Sequence, residues 1–264
     1  MNLSQVSRTA ILTLICRAVE AEKNKSVFND PMAVLSLDRL MSIASEEEKR
    51  WIISKKRMYA GIQRRHAAAG ARRAKTFDDV ANRYIAGNPY CTVINLACGF
   101  DTRFWRIENE KCCYIEIDLP EVIQLKKEIL QDHLTYEMMG CSVLDTAWID
   151  TVTTNGNAGF LLLAEGLFMW FPKQEVTRIL KDIGDRFCRS QLVMDMVPEI
   201  WTKGILKYLM YLEARIDWGL DVSWVFGLQD PHDLEVYGAD LKVIEVAKSS
   251  AGPLIILSIN AADG

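Results

Sequence analysis

No stretch of this 264-residue chain sustains the ~18–20 apolar residues that crossing a bilayer demands, so a membrane-spanning helix is not expected. The opening MNLSQVSRTAILTLICRAVEAEK has no basic run before its apolar stretch and no small-residue cleavage site, unlike a secretory signal. Val6, Ala10, Leu14 and Ala18 recur there at helical spacing instead. No C-x-x-C pair occurs among the seven cysteines, and Cys112 and Cys113 are adjacent, which suits neither a zinc site nor a bond between the two. Reduced, mostly buried thiols and a cytoplasmic setting follow as expectations. Histidine is scarce: His66, His133 and His232 are the only ones. No Ser/His/Asp or metal-ligand constellation forms around them, and none is given a role. The three glycines of G-x-G-x-x-G are missing too, which argues against a dinucleotide fingerprint.

What is present is a chain half apolar and one quarter charged, with a net charge of −4. That balance gives no reason to expect nucleic acid or an anionic membrane as partner. The charge is unevenly placed: Lys49 to Lys75 holds ten Lys or Arg residues and no acid. The plain reading is a solvated helix face. The functional readings are a basic lid over an acidic ligand and a nucleic-acid contact.

Residues 1–88 read as a helical cap. Ser45 and Glu48 form a capping-box pattern ahead of an Ala-, Arg- and Lys-rich run, and Gly70 or the Gly87-Asn88-Pro89 break is expected to stop such helices. Residues 89–264 change texture. CTVINLACGF, CCYIEIDLP, GFLLLAEG and SQLVMDMVP are short apolar, β-branched runs, separated by helical patterns such as Glu121 to Leu130 and KQEVTRILKDIGDRF. Alternating strands and helices imply a doubly wound α/β domain with a mostly parallel sheet. LKVIEVAKSS and PLIILSINA suggest a closing antiparallel hairpin. A segment at about 199–237, with Trp201, Trp218 and Trp224, reads as an insertion that caps a pocket.

In an open parallel sheet, ligands bind beyond the carboxyl ends of the strands, near the reversal of strand order. Polar residues collect at such ends here. Gly99, in Asn95-Leu96-Ala97-Cys98-Gly99-Phe100-Asp101-Thr102-Arg103, serves either a plain turn or close approach of a ligand to the backbone. Asp118, about twenty residues on, is placed to accept both hydroxyl hydrogens of a ribose or to cap a helix before Pro120. Ser142 to Asp145 offers an adenine edge its partners, or is a plain turn. Glu165, leaving LLLAEG, needs a cation: a ligand ammonium or an internal ion pair. Together these suit a ligand with adenosine, amino and carboxylate parts. A nicotinamide cofactor would need pyrophosphate room, and Asp101 would repel it.

These residues resemble the leucine carboxyl methyltransferase family, most of all its bacterial and archaeal branch, similar to the tetracenomycin-type polyketide carboxyl O-methyltransferases. VSRTAILTLICRA, FNDPMA, RRAKTFDDVANRYI, VINLACGFDTR, YIEIDLPEVIQLKK, GCSVLDTAWID and LLLAEGLFMWFP carry the resemblance, from about residue 6 to 172. It implies a seven-stranded Rossmann-like methyltransferase fold and S-adenosylmethionine as cofactor. It also implies that Arg73 holds the methionine carboxylate and that Ala97, Cys98 and Gly99 form the backbone loop, with Asp101 beside them. Asp118 and Leu119 would meet the ribose, Ser142 and Val143 would flank adenine, and Glu165 and Gly166 would sit at the amino-acid end. Two positions depart from the family: its first loop glycine is Ala97, tolerable only with a negative φ, and its frequent tyrosine after Met169 is Trp170.

Methyl transfer to a carboxylate needs no general base, because the acceptor is already ionised at neutral pH; rate then comes from alignment and desolvation. A phenol would call for one. The expected function is O-methylation of a carboxylate or hydroxyl on a small acidic, aromatic or polyketide-like acceptor. Alternatives are methylation of a protein C-terminal carboxylate, a cofactor-binding protein without turnover, and nicotinamide-dependent reduction.

Overall fold

The computed structural model describes residues 5–23, 26, 28–154, 159–187, 189–249 and 252–259. Four helices come first: α1 (Gln5–Ala21), α2 (Pro31–Ile43), α3 (Glu46–Ala60) and α4 (Arg64–Gly87). Asp30 caps α2, its carboxylate accepting the Ala33 N–H at 3.0 Å, with Pro31 pre-set at the first helical position. The Ser45–Glu48 capping box opens α3 as its sequence implies. Gly70 does not end a helix. It lies inside α4, where a Cβ would stand 3.7 Å from the Cys16 Cβ, so its small size serves close packing against α1. α4 ends at the Gly87-Asn88-Pro89 break as the sequence implies, and the chain breaks also at Gly61, which caps α3 with φ −105°. Ile11, Leu14 and Ile15 of α1 are wholly buried, each worth about 1.5–3 kcal/mol.

The sheet follows: β1 (Thr92–Leu96), β2 (Cys113–Asp118), α5 (Pro120–Leu130), β3 (Glu137–Gly140), α6 (Ala147–Thr153), β4 (Phe160–Ala164), α7 (Lys173–Arg186), β5 (Ser190–Asp195), α8 (Gly204–Glu213), β6 (Leu241–Ser249) and β7 (Gly252–Ile259). Spatial order is β3-β2-β1-β4-β5-β7-β6, with the first five strands parallel and β7 antiparallel to both β5 and β6. The mostly parallel seven-stranded α/β sheet and its closing hairpin are therefore present. β1 and β4 are buried along their whole length, because helices cover both faces. Phe77, Val80, Ala81 and Tyr84 of α4 pack on one face against Val93, Leu161, Leu163 and Val193. Residues of α6 and α7 (Trp148, Ile149, Val176, Ile179, Leu180 and Ile183) pack on the other against Ile94, Ile115, Ile117 and Leu162. Among the described residues no helix is long and apolar enough to cross a membrane.

Between β5 and β6 lies the inserted segment, which carries α8, a π-helical turn Ala214–Trp218 and short 3-10 turns at Glu199–Thr202 and Pro231–Tyr237. The backbone N–H groups of Val225 and Phe226 donate to Met169 O at 2.9 and 3.3 Å, which docks the insertion just past the tip of β4. Trp224 and Trp170 lie 6.4 Å apart there, ring to ring. Strand order reverses beside β1, so the tips of β2, β1 and β4 adjoin one another at the position where such sheets take ligands.

Candidate functional site

Each of the sheet's inner strands ends in chemistry. After β1 the chain turns through Ala97, Cys98 and Gly99; the Cys98 N–H donates to Ile117 O at 3.2 Å and the Gly99 N–H to Asp118 Oδ2 at 2.6 Å. These two bonds pull the loop over the tip of β2. They also correct the expectation of a negative φ at Ala97, which sits at +50° beside Gly99 at +51°. The left-handed conformation costs an alanine ~1–2 kcal/mol, offset by the bonds that the turn makes. The space over Gly99 is small: a Cβ would meet the Ala10 Cβ at 3.1 Å. Arg17 of α1 donates through Nη2 to Phe100 O at 2.8 Å, so the first helix braces this loop. The Cys98 thiol is buried with Ile123 and Met138, and burial holds it neutral, its pKa well up. The thiol itself reaches the Gly99 carbonyl at 3.6 Å, which ties it into the turn.

Asp118 is 6% exposed. It does not cap α5, whose N-cap is Leu119; instead its Oδ1 accepts the Leu119 N–H at 2.7 Å. An ionised carboxylate has about four acceptor sites, and two backbone bonds leave it able to take a pair of hydroxyl donors. Burial pushes its pKa up from the ordinary value, against those two N–H bonds. Past β3, the Cys141 N–H donates to Asp118 O at 2.8 Å, which sets the next turn beside it. There Ser142 Oγ accepts the Leu144 N–H at 3.2 Å, and buried Val143 gives its carbonyl to Trp148 Nε1 at 3.0 Å.

Glu165, one residue beyond β4, is held by two arginines: Arg73 Nε at 2.9 Å and Arg103 Nη2 at 2.6 Å. Those neighbours keep its carboxylate below the usual range despite its burial. Arg73 also reaches Asp195, the last residue of β5, at 3.3 Å, and Asp195 in turn accepts the Gly166 N–H at 2.6 Å. Gly166 has φ +68°, and a Cβ on it would stand 3.5 Å from Arg73 Nη2. The Gly166 carbonyl accepts Trp170 Nε1 at 2.8 Å. Arg73 thus stands where a carboxylate could meet it, already committed to two acids; its neighbours in the basic stretch turn outward, as Lys49 to Glu46 and Lys75 to Asp79.

Asp101 lies two residues past Gly99. It is 6% exposed, bound by Arg103 at 2.7 Å and Arg106 at 3.0 Å, which hold its carboxyl well below the ordinary value. Its charge is paired inside the protein by those two arginines.

Several partners escaped the sequence reading: Asp30, Asp78, Arg103, Arg106, Glu116, Lys126 and Asp195. Arg103 is wholly buried and joins Asp78, Asp101 and Glu165. Lys126 pairs with Glu116 at 2.6 Å, and Glu116 Oε1 is left without a partner. A signal existed for Asp195, which ends SQLVMD as Asp118 ends IEID. Counting Arg17, Arg73, Arg103, Arg106 and Lys126 against Asp30, Asp78, Asp101, Glu116, Asp118, Glu165 and Asp195, seven acids face five bases beneath the strand tips. Burial raises three of those acids, Glu116, Asp118 and Asp195, toward the neutral form.

The chain has relatives among known proteins. The family model described as "Leucine carboxyl methyltransferase" matches residues 10–184. The tetracenomycin polyketide synthesis O-methyltransferase of Streptomyces glaucescens is 28% identical over 240 residues, 89% of this chain and 80% of that one. An S-adenosyl-L-methionine-dependent methyltransferase of Gibberella zeae is 24% identical over 255 residues, 93% of this chain and 83% of that one. Among solved structures, an O-methyltransferase family protein of Burkholderia thailandensis superposes with a TM-score of 0.54 at 14% identity, covering 80% of this chain and 64% of its own; this likeness bears on the fold alone.

Proposed function

The chain belongs to the leucine carboxyl methyltransferase family, and from that premise we propose that its methyl acceptor is a small acidic molecule with an aromatic or polyketide-like frame. The protein is an S-adenosylmethionine-dependent O-methyltransferase. The residues fit the cofactor: Asp118 keeps acceptor capacity for two ribose hydroxyls, and Arg73 and Glu165 stand together with the two charges that an amino acid's carboxylate and ammonium need. When bound, S-adenosylmethionine supplies a methyl group on a positively charged sulfur.

On this reading Arg73 takes the carboxylate of the methionine end and Glu165 its ammonium, each exchanging part of the bond that they now share. Ser142 and Val143 border the adenine. The loop of Ala97 to Gly99 supports the sugar from below, with Asp101 buried behind it as a brace. No side chain of the tips is assigned a proton-transfer role: an acceptor carboxylate is ionised at neutral pH. What the protein then supplies is alignment and the exclusion of water by the inserted segment.

The observation that carries the acceptor class is the docking of an aromatic insertion on Met169, four residues past Glu165, with Trp170 and Trp224 facing one another there. The polyketide relative supports the same class. The test is transfer of labelled methyl from S-adenosylmethionine to a panel of aromatic acids, the matching phenols and peptides with a free C-terminal leucine. Labelled esters of the aromatic acids are expected. Label on the peptide alone would overturn the reading, and S-adenosylhomocysteine binding without any transfer would favour a protein that binds cofactor only.

A further inference from the structure

In the inserted segment, α8 presents a stripe that nothing above uses. Gly204, Lys207, Tyr208 and Tyr211 fall at i, i+3, i+4 and i+7 and so share one helix face. With Ser223 they line a cavity of about 320 Å³, within the range of small-molecule sites. Gly204 begins the helix at φ +55°, and nothing lies within 4 Å of where its Cβ would be, so the stripe ends in open space. The Tyr211 hydroxyl donates to Asp221 at 2.8 Å and lies 3.4 Å from Arg215 Nη1, which fixes that ring. Half-buried Lys207 and the Tyr208 hydroxyl have no hydrogen-bond or ion-pair partner among the described residues. A lysine without an acid of its own, on one helix face with two tyrosines, is chemistry for an aromatic anion.

We propose that this cavity anchors the acceptor: a planar ring lies against Tyr208 and Tyr211, and an anionic group remote from the methylated one meets Lys207 Nζ. The cavity belongs to the insertion that Val225 and Phe226 dock beside the tip of β4. Lys207 is on this view a specificity residue and takes no part in methyl transfer. The inference rests on the acceptor class proposed above.

The test uses the full chain with S-adenosylhomocysteine present, titrated with 2-naphthoate and with neutral 2-naphthamide. Lys207→Met keeps the aliphatic stem and removes the charge. Naphthoate affinity is expected to fall about tenfold in the variant, the loss of one charged hydrogen bond, while naphthamide and S-adenosylhomocysteine bind as before. Equal naphthoate affinity in the two proteins, or no naphthoate binding to the wild type, overturns the proposal. Methyl-transfer assays on the same pair separate it from the acceptor reading. A charge-dependent binding loss with no aromatic acid methylated keeps the subsite and removes the reading. An aromatic diacid, 2,6-naphthalenedicarboxylate, methylated with the same KM by both proteins keeps the reading and removes the subsite.

Discussion

Arg73 Nε and Glu165 Oε1 are joined at 2.9 Å across 92 residues of chain. The two charges mirror those at the amino-acid end of the cofactor: a guanidinium for its carboxylate, a carboxylate for its ammonium. Because Asp195 and Arg103 hold the outer sides of the pair, loss of one member leaves the other partly compensated.

Glu165→Gln is accordingly expected to fold, with Arg73 still on Asp195 and Arg103 still on Asp78 and Asp101. S-Adenosylhomocysteine affinity should fall by about 1–3 kcal/mol, the worth of a charged hydrogen bond. Calorimetry reads it directly, and unchanged affinity would take Glu165 out of the site.

Asp118→Ala should weaken the same ligand by a similar ~1–3 kcal/mol. The pH dependence has a definite sign. Burial raises the pKa of Asp118, and only the ionised carboxylate can accept both hydroxyls. Affinity should therefore decline as pH falls, beginning above the range where an ordinary aspartate titrates. Asp118→Asn should bind weakly with a flat profile between neutral and mildly acid pH. A wild-type profile as flat as the variant's contradicts the assignment.

The loop after β1 predicts opposite signs for two small substitutions. Gly99→Ala places a methyl 3.1 Å from the Ala10 Cβ at φ +51°, and should destabilise by about 1–3 kcal/mol. Ala97→Gly removes left-handed strain at φ +50°; its gain of up to ~1–2 kcal/mol is partly offset by the greater freedom of glycine in the unfolded chain. Urea unfolding of both variants decides the matter, and a clearly destabilised Ala97→Gly would refute the strain.

Asp101 governs acid stability. Arg103 and Arg106 hold its folded pKa well below the ordinary value, so its contribution is present above the unfolded pKa of about 4 and is lost as pH falls toward the folded one. Asp101→Asn should lower stability at neutral pH by up to ~3 kcal/mol. The gap in Tm between variant and wild type should narrow below about pH 4. Burial raises Glu116 and Asp195 instead; their contribution runs the other way, present below the unfolded pKa and lost as pH rises through the folded one. A gap that stays constant with pH would show that Asp101 is not the acid-labile group.

The strands were legible because both faces of the sheet are covered, which leaves runs such as TVINL and FLLLA almost free of polar residues. Asp118 and Glu165 stood out for the same reason: an acid that ends such a run needs a partner. Asp195 gave the same signal at the end of SQLVMD. The break at Gly61 was not legible, since Ala, Arg and Lys on either side favour helix equally. The positive φ of Ala97 depends on bonds to Ile117 and Asp118, some twenty residues distant. Arg106 bridges Asp30 and Asp78, a meeting that no local spacing encodes. For the same reason the pairing of Asp101 with Arg106 was not legible.

The bond from Arg17 to the Phe100 carbonyl spans 83 residues. At ~5–20 residues per second of synthesis, the amino-terminal helix waits roughly 4–17 s on the ribosome before its acceptor has been made. Through that interval Ile11, Leu14 and Ile15 have Leu37, Leu40, Ile52 and Tyr59 of the following helices to pack against, so the helical cap can assemble first and the loop after β1 then closes onto a waiting guanidinium.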